Sequence, residues 1–142
     1  ASAELRRVTA RPGASVFASE TLSDWLLWTE PSLRGRIAYD VRFELLSTGQ
    51  LEQLSAYHRR SGRDWAAPTR PFSLIVLDTR IDSRLGAALL AQTGARVLFK
   101  DRNLLVLAQR PRRPLPGSGP ALIARAGSRS AVRGPRPGSR GE

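Results

Sequence analysis

The chain contains no cysteine, no methionine and a single histidine, His58. Without cysteine there is neither a disulfide framework nor a thiolate metal site, and one imidazole builds neither a multi-histidine metal centre nor a Cys/His catalytic pair. Lysine is almost as scarce, Lys100 being the only one. Long apolar runs are missing as well: no segment approaches the roughly 20 apolar residues needed to span a bilayer, and the opening ASAELRRVTARPGAS lacks a signal peptide's hydrophobic stretch. As given, the chain reads as soluble or peripheral. No GxGxxG or GxxxxGK[ST] loop is present, so the usual modes of nucleotide binding, and a cofactor of that kind, are not expected.

What is abundant is arginine. The chain's 142 residues fit one domain and carry a formal charge of +11. Such a preference suits bidentate pairing with phosphate or carboxylate, and it is also what the codons of a GC-rich genome produce. The charge is unevenly spread. From Pro111 to Glu142, seven arginines face one acid, so over half of the excess lies in a Pro-, Gly- and Ser-rich stretch with too little apolar surface to offset its ordering entropy. The composition divides the chain into a lead-in over 1–14, an α/β domain over 15–110, and a disordered basic tail over 111–142.

Within 15–110 the punctuation sets the elements. A β-prone run at Ser15 to Ala18 follows Pro12-Gly13, and Thr21 to Trp28 reads as a helix with Ser19 or Thr21 as N-cap and Pro31 as its stop. Leu22, Trp25 and Leu26 recur at helical spacing, which places Trp25 in the core and Trp28 partly in it. Arg36 to Tyr39 reads as a strand. Ser47 to Arg60 reads as a second helix presenting Leu51, Leu54, Ser55 and His58 on one face. Ser73 to Leu77 is an uninterrupted apolar run of the kind buried on both faces of a sheet. Asp82 or Ser83 caps a helix over Leu85 to Gln92, and Gly94 stops it. Ala95 to Lys100 and Leu104 to Gln109, joined by Asp101-Arg102-Asn103, read as a hairpin. This order predicts a three-layer Rossmann-like α/β domain whose sheet is mostly parallel, with a C-terminal antiparallel hairpin.

Side chains at the carboxyl ends of strands line the crevice of such a sheet. That singles out Asp40, Arg42 and Glu44 at the exit of the Arg36 to Tyr39 strand, and Asp78 and Arg80 after the apolar run. Two readings of Asp40 and Arg42 stay open: an oriented guanidinium that binds a carboxylate or phosphate, or an ion-pair network pinning the strand to the next helix. No nucleophile or histidine stands beside Asp40 and Glu44, so no catalytic residue and no metal ligand is assigned. His58 beside Arg59 and Arg60 reads as a solvated or locally bonded side chain rather than a ligand.

One resemblance follows from these residues. The Trp-Leu-Leu-Trp helix, the strand ending in Asp40-Val41-Arg42, the helix entering with Gln50-Leu51, the buried strand to Asp78 and the VLFKDRNLLVLAQR hairpin resemble the C-terminal extracytoplasmic domain of bacterial polytopic membrane proteins of the C-type glycosyltransferase superfamily. It covers roughly residues 12 to 110 by order of elements and short motifs. Val41 stands where that family often has Gly, and Phe99-Lys100-Asp101 where it often has Tyr-x-Asp. The resemblance implies a noncatalytic accessory domain on the extracytoplasmic face, partnered by the parent's transmembrane portion and by anionic lipid headgroups or lipid-linked sugar. The family's catalytic acid is implied on an early loop between membrane helices. The alternative function is a soluble basic protein that binds nucleic acid nonspecifically through its arginine-rich tail.

Overall fold

The computed structural model describes residues 2–38 and 46–112. Leu74–Asp78 (β2) is the strand around which the sheet is assembled, and its four apolar residues are all buried. Val16–Ala18 (β1) pairs with it in parallel, Val16 lying opposite Leu74. Leu104–Ala108 (β4) pairs antiparallel on the other side with Leu107 opposite Ile75, and Arg96–Lys100 (β3) closes the order β1-β2-β4-β3. Outside the named strands Ile37 makes a single parallel bridge to Val16.

The mostly parallel sheet expected from the element order is therefore a mixed one. β1, β2 and β3 do run in the same direction, since β2 and β3 are both antiparallel to β4. The hairpin, however, joins through its second strand, so β4 sits between β2 and β3 and two of the three named pairings are antiparallel. The expected Arg36 to Tyr39 strand is represented among the described residues by the Ile37 bridge alone.

Four helices complete the described fold: Ser2–Thr9 (α1), Glu20–Thr29 (α2), Thr48–Arg59 (α3) and Ser83–Thr93 (α4). Period-two alternation along the strands divides the core between two faces. Phe17, Ile75, Leu77, Leu105 and Leu107 share a cluster with Leu54 and Tyr57 of α3 and Leu85 and Leu89 of α4. Val16, Ala18, Leu74, Val76, Leu104 and Val106 share another with Leu5 and Val8 of α1 and Leu26 of α2. Each fully buried aliphatic or aromatic side chain stabilises the fold by about 1.5–3 kcal/mol. Residues 2–9, read from sequence as a lead-in, thus hold a helix that contributes to the core.

Local chemistry fixes where the helices begin and how closely they pack. α3 opens with a reciprocal capping box: Ser47 Oγ accepts from Gln50 N–H at 3.3 Å, and Gln50 Oε1 accepts from Ser47 N–H at 2.8 Å. Its buried face is Gln50, Leu54 and Tyr57 rather than the expected Leu51, Leu54, Ser55 and His58; Leu51 lies at the flank of that face and is exposed. α4 ends on Gly94 at φ 68°, a left-handed position that glycine adopts without a Cβ clash.

The tryptophans separate. Trp25 is half-buried against the second cluster, while Trp28 is 83% exposed. Helix α2 turns its face around Leu26, and at 100° per residue a position two further on lies about 200° away, which carries Trp28 off the core. Trp65 is buried, with Nε1–H donating to Gln92 Oε1 at 2.8 Å.

Candidate functional site

Because β1, β2 and β3 point the same way, their carboxyl ends share one margin of the sheet. β2 leaves that margin through Asp78, where the chain must turn into α4. Asp78 Oδ1 accepts from the Arg80 backbone N–H at 2.8 Å and from Arg80 Nε at 3.2 Å, and Oδ2 accepts from Nη2 at 2.9 Å. The side-chain hydrogen bonds from Arg80, followed by its backbone N–H, hold the Asp78 carboxyl below the usual carboxylate range. The two residues singled out after the apolar run thus meet each other, in a local turn and ion pair.

Asp82 occupies the N-cap position of α4 but does not cap it with its side chain. Its Oδ2 folds back to accept the Asp78 backbone N–H at 3.3 Å, so the expected cap is instead a clasp across the β2–α4 turn. Partial burial pushes the Asp82 carboxyl up; the Asp78 amide and the nearby His58 charge oppose this, and the Asp78 charge adds to it. Thr79 is committed as well: its N–H donates to Asn103 O at 2.9 Å and its hydroxyl to Arg102 O at 2.5 Å, tying the end of β2 to the β3–β4 turn. That turn is held by Asp101 Oδ1, which accepts from the Asn103 and Leu104 N–H groups at 2.8 and 2.7 Å; those two bonds depress its pKa, Leu104 contributing most.

The margin therefore brings Asp78, Arg80 and Asp82 together, with His58 within electrostatic reach of Asp82. Asp82 and His58 were not assigned to a site from the sequence: Asp82 read as a helix cap, and His58 as a solvated residue on a helix remote in sequence. Asp40, Arg42 and Glu44 lie outside the described residues. The bridge preceding them is informative nonetheless. Val16 directs both its N–H and its C=O to Arg36 and Ala38, so Ile37 flanks β1 on the side away from β2, and β1 intervenes between that segment and the strand bearing Asp78.

Chemically, the margin holds one carboxylate fixed in its ionised form and a second biased toward protonation. Pairs of titratable groups pushed apart in this way are the raw material of acid–base chemistry. Here both carboxyls and the Thr79 hydroxyl are occupied by turn-forming hydrogen bonds. Among the described residues no group of three or more His, Asp or Glu side chains is placed to hold a metal ion.

The opposed shifts give a testable sign. A carboxyl whose folded pKa is raised leaves stability intact below its unfolded value, roughly 3.9, and loses it as pH rises through the folded value. Asp82→Asn keeps an oxygen for the Asp78 N–H and removes that loss. The variant is expected to exceed the wild type at about pH 7 by less than about 1 kcal/mol, the group being half exposed, and to converge with it near pH 3. Urea unfolding at the two pH values measures this; a variant less stable at neutral pH would show that the charge itself is needed.

No protein-family model matches the chain, and no curated protein or solved structure matches it.

Proposed function

We propose that the chain is a noncatalytic extracytoplasmic accessory domain of a membrane glycosyltransferase-like protein, packing on that protein's transmembrane portion and shaping access of a lipid-linked sugar to a catalytic site carried elsewhere. The observation that carries this reading is the succession of elements. A strand, a Trp-bearing helix, a second chain segment parallel to the first strand, a helix opening on Gln50, a buried strand ending in Asp78, a helix and a hairpin follow one another in the order on which the resemblance rests. Core clusters on both faces of the sheet, fed by α3 and α4 on one side and α1 and α2 on the other, support a three-layer Rossmann-like reading of that succession.

The division of labour follows from physical requirements. Turnover of a polyprenyl-phosphate sugar requires an apolar slot for the lipid and an acid or base held against the reacting oxygen. No helix among the described residues is long and apolar enough to cross a membrane. In this reading the slot belongs to the parent's membrane helices, and the α/β domain contributes surface and positioning.

Two measurements test the proposal. Purified chain incubated with polyprenyl-phosphate sugars in detergent is expected to release no sugar to acceptor above the protein-free rate. Turnover by the chain alone would overturn the noncatalytic assignment. The reading frame upstream of Ala1 is expected to encode several hydrophobic spans, and a start codon with none would remove the membrane parent.

A further inference from the structure

The margin opposite Asp78 gathers arginine. Here β2 begins and β4 ends, and a cavity of about 130 Å³ is lined by Arg63, Asp64, Arg70, Gln109, Arg110 and Arg112. The four guanidinium groups come from three separate stretches of chain: the turn after α3, the segment entering β2 and the segment leaving β4. The backbone brings them together. Gln109 Nε2 donates to Thr69 O at 2.6 Å and to Phe72 O at 3.0 Å, Gln109 N–H to Ser73 O at 3.0 Å, and Arg112 N–H to Arg70 O at 2.8 Å. These bonds stitch the chain after β4 to the chain before β2, so the arginines are held on a frame.

Their charge is only partly answered. Asp64 and Arg70 form a bidentate ion pair through the two terminal guanidinium nitrogens and both carboxylate oxygens. Arg63, Arg110 and Arg112 make no ion pair or side-chain hydrogen bond with the described residues. Like charges collected in a recess repel one another, and their fields add on whatever enters it. Each guanidinium offers five N–H donors. A carboxylate, with one charge and two oxygens, is matched by one such fork, whereas three unanswered forks call for a doubly charged tetrahedral oxyanion with three or more free oxygens. The recess is also the right size. It exceeds many-fold the roughly 10–15 Å³ of probe volume that one water needs, yet falls below the roughly 300 Å³ of a drug-sized pocket.

We propose that this cavity is a binding site for a phosphoryl group, presented either as a soluble phosphate monoester or as a phospholipid headgroup, with Arg63, Arg110 and Arg112 as its ligands and Arg70, held by Asp64, as a fixed wall. The site is independent of the accessory-domain reading, since it rests on the cavity and its charges alone.

The test uses the full chain. Isothermal titration with inorganic phosphate and with glycerol 3-phosphate is set beside sedimentation with phosphatidylcholine vesicles containing or lacking phosphatidic acid. Saturable binding to a phosphoryl compound in either form is expected. The Arg63→Gln/Arg110→Gln double variant should weaken it at least tenfold, and the charge-matched tail control Arg133→Gln/Arg136→Gln should change it less than threefold. Arg63→Lys/Arg110→Lys, which keeps the charge and loses the forks, should fall between wild type and the Gln variant. Site-dependent binding to the soluble esters assigns a small-molecule source, and site-dependent binding to phosphatidic acid vesicles alone assigns a headgroup. Equal weakening by the pocket and tail variants would overturn the site in favour of general charge attraction. So would absence of binding in both formats. The alternative role for these arginines is to offset the carbonyl end of α4, whose Thr93 also borders the cavity; lower stability of the Gln variant with unchanged phosphate affinity would establish that role and reject the site.

Discussion

Phe17→Ala is expected to remove about 3–5 kcal/mol of stability, a large share of the roughly 5–15 kcal/mol that holds a domain together. Phe17 is 1% exposed and is the central residue of β1, opposite Ile75. Its ring meets Tyr57 edge-on at 5.0 Å and Phe72 at 5.5 Å, joining the sheet to α3 and to the chain entering β2. Truncation loses the transfer free energy of the ring and about 0.5–1.5 kcal/mol from the aromatic contact, and leaves a cavity whose walls belong to three different segments. Walls set by separate segments relax poorly, which places the cost toward the upper end. Urea unfolding should show a lower midpoint at unchanged slope. A loss below about 1 kcal/mol would mean that these rings do not form the centre of the core.

Gly86→Leu is expected to cost about 2–3 kcal/mol although leucine is the better helix former. Gly86 is buried on the face of α4 that meets the sheet, where a Cβ would lie 2.7 Å from Leu105 Cδ2 and 3.5 Å from Leu77 Cδ1. Both neighbours are themselves buried, and a shift of one leucine methyl makes room for a Cβ but not for a whole second leucine side chain. Helix propensity returns roughly 1 kcal/mol, less than the cost of lifting α4 off β2 and β4. Gly86→Ala calibrates the argument: propensity and crowding nearly cancel, leaving it within about 1 kcal/mol of the wild type. A leucine variant as stable as the wild type would show that α4 is not pressed against the sheet.

How far the sequence discloses this fold depends on whether the signal is local. The apolar run to Leu77, the Asp101-Arg102-Asn103 turn and the helical stretch from Ser47 to Arg60 are short-range patterns, and each corresponds to an observed element. α1 escaped because only Leu5 and Val8 mark its buried face among charged neighbours. Strand order escaped for a different reason: whether β4 or β3 lies against β2 is decided by long-range pairing that no window of residues contains. The same holds for the sites. Asp78 and Arg80 could be singled out because they directly follow the apolar run, whereas the influence of His58 on Asp82 links positions 24 residues apart on different elements. The arginines of the opposite cavity were visible only as composition, because three stretches of chain must meet before they form a group.

The seam between β1 and β2 has a consequence for synthesis. It is fastened at its entrance by a reciprocal pair: Ser15 N–H donates to Ser73 Oγ at 3.0 Å and Ser73 N–H to Ser15 Oγ at 3.1 Å, across 58 positions of sequence. At about 5–20 residues per second, β1 leaves the ribosome on the order of 3–12 seconds before its partner exists. During that interval Val16, Phe17 and Ala18 have no β2 to pair with, the condition under which unpaired strands recruit one another between chains. A strand of three residues presents too short a margin to be a durable template. Its brevity, a weakness in the finished sheet that the serine pair offsets, protects the growing chain while it waits.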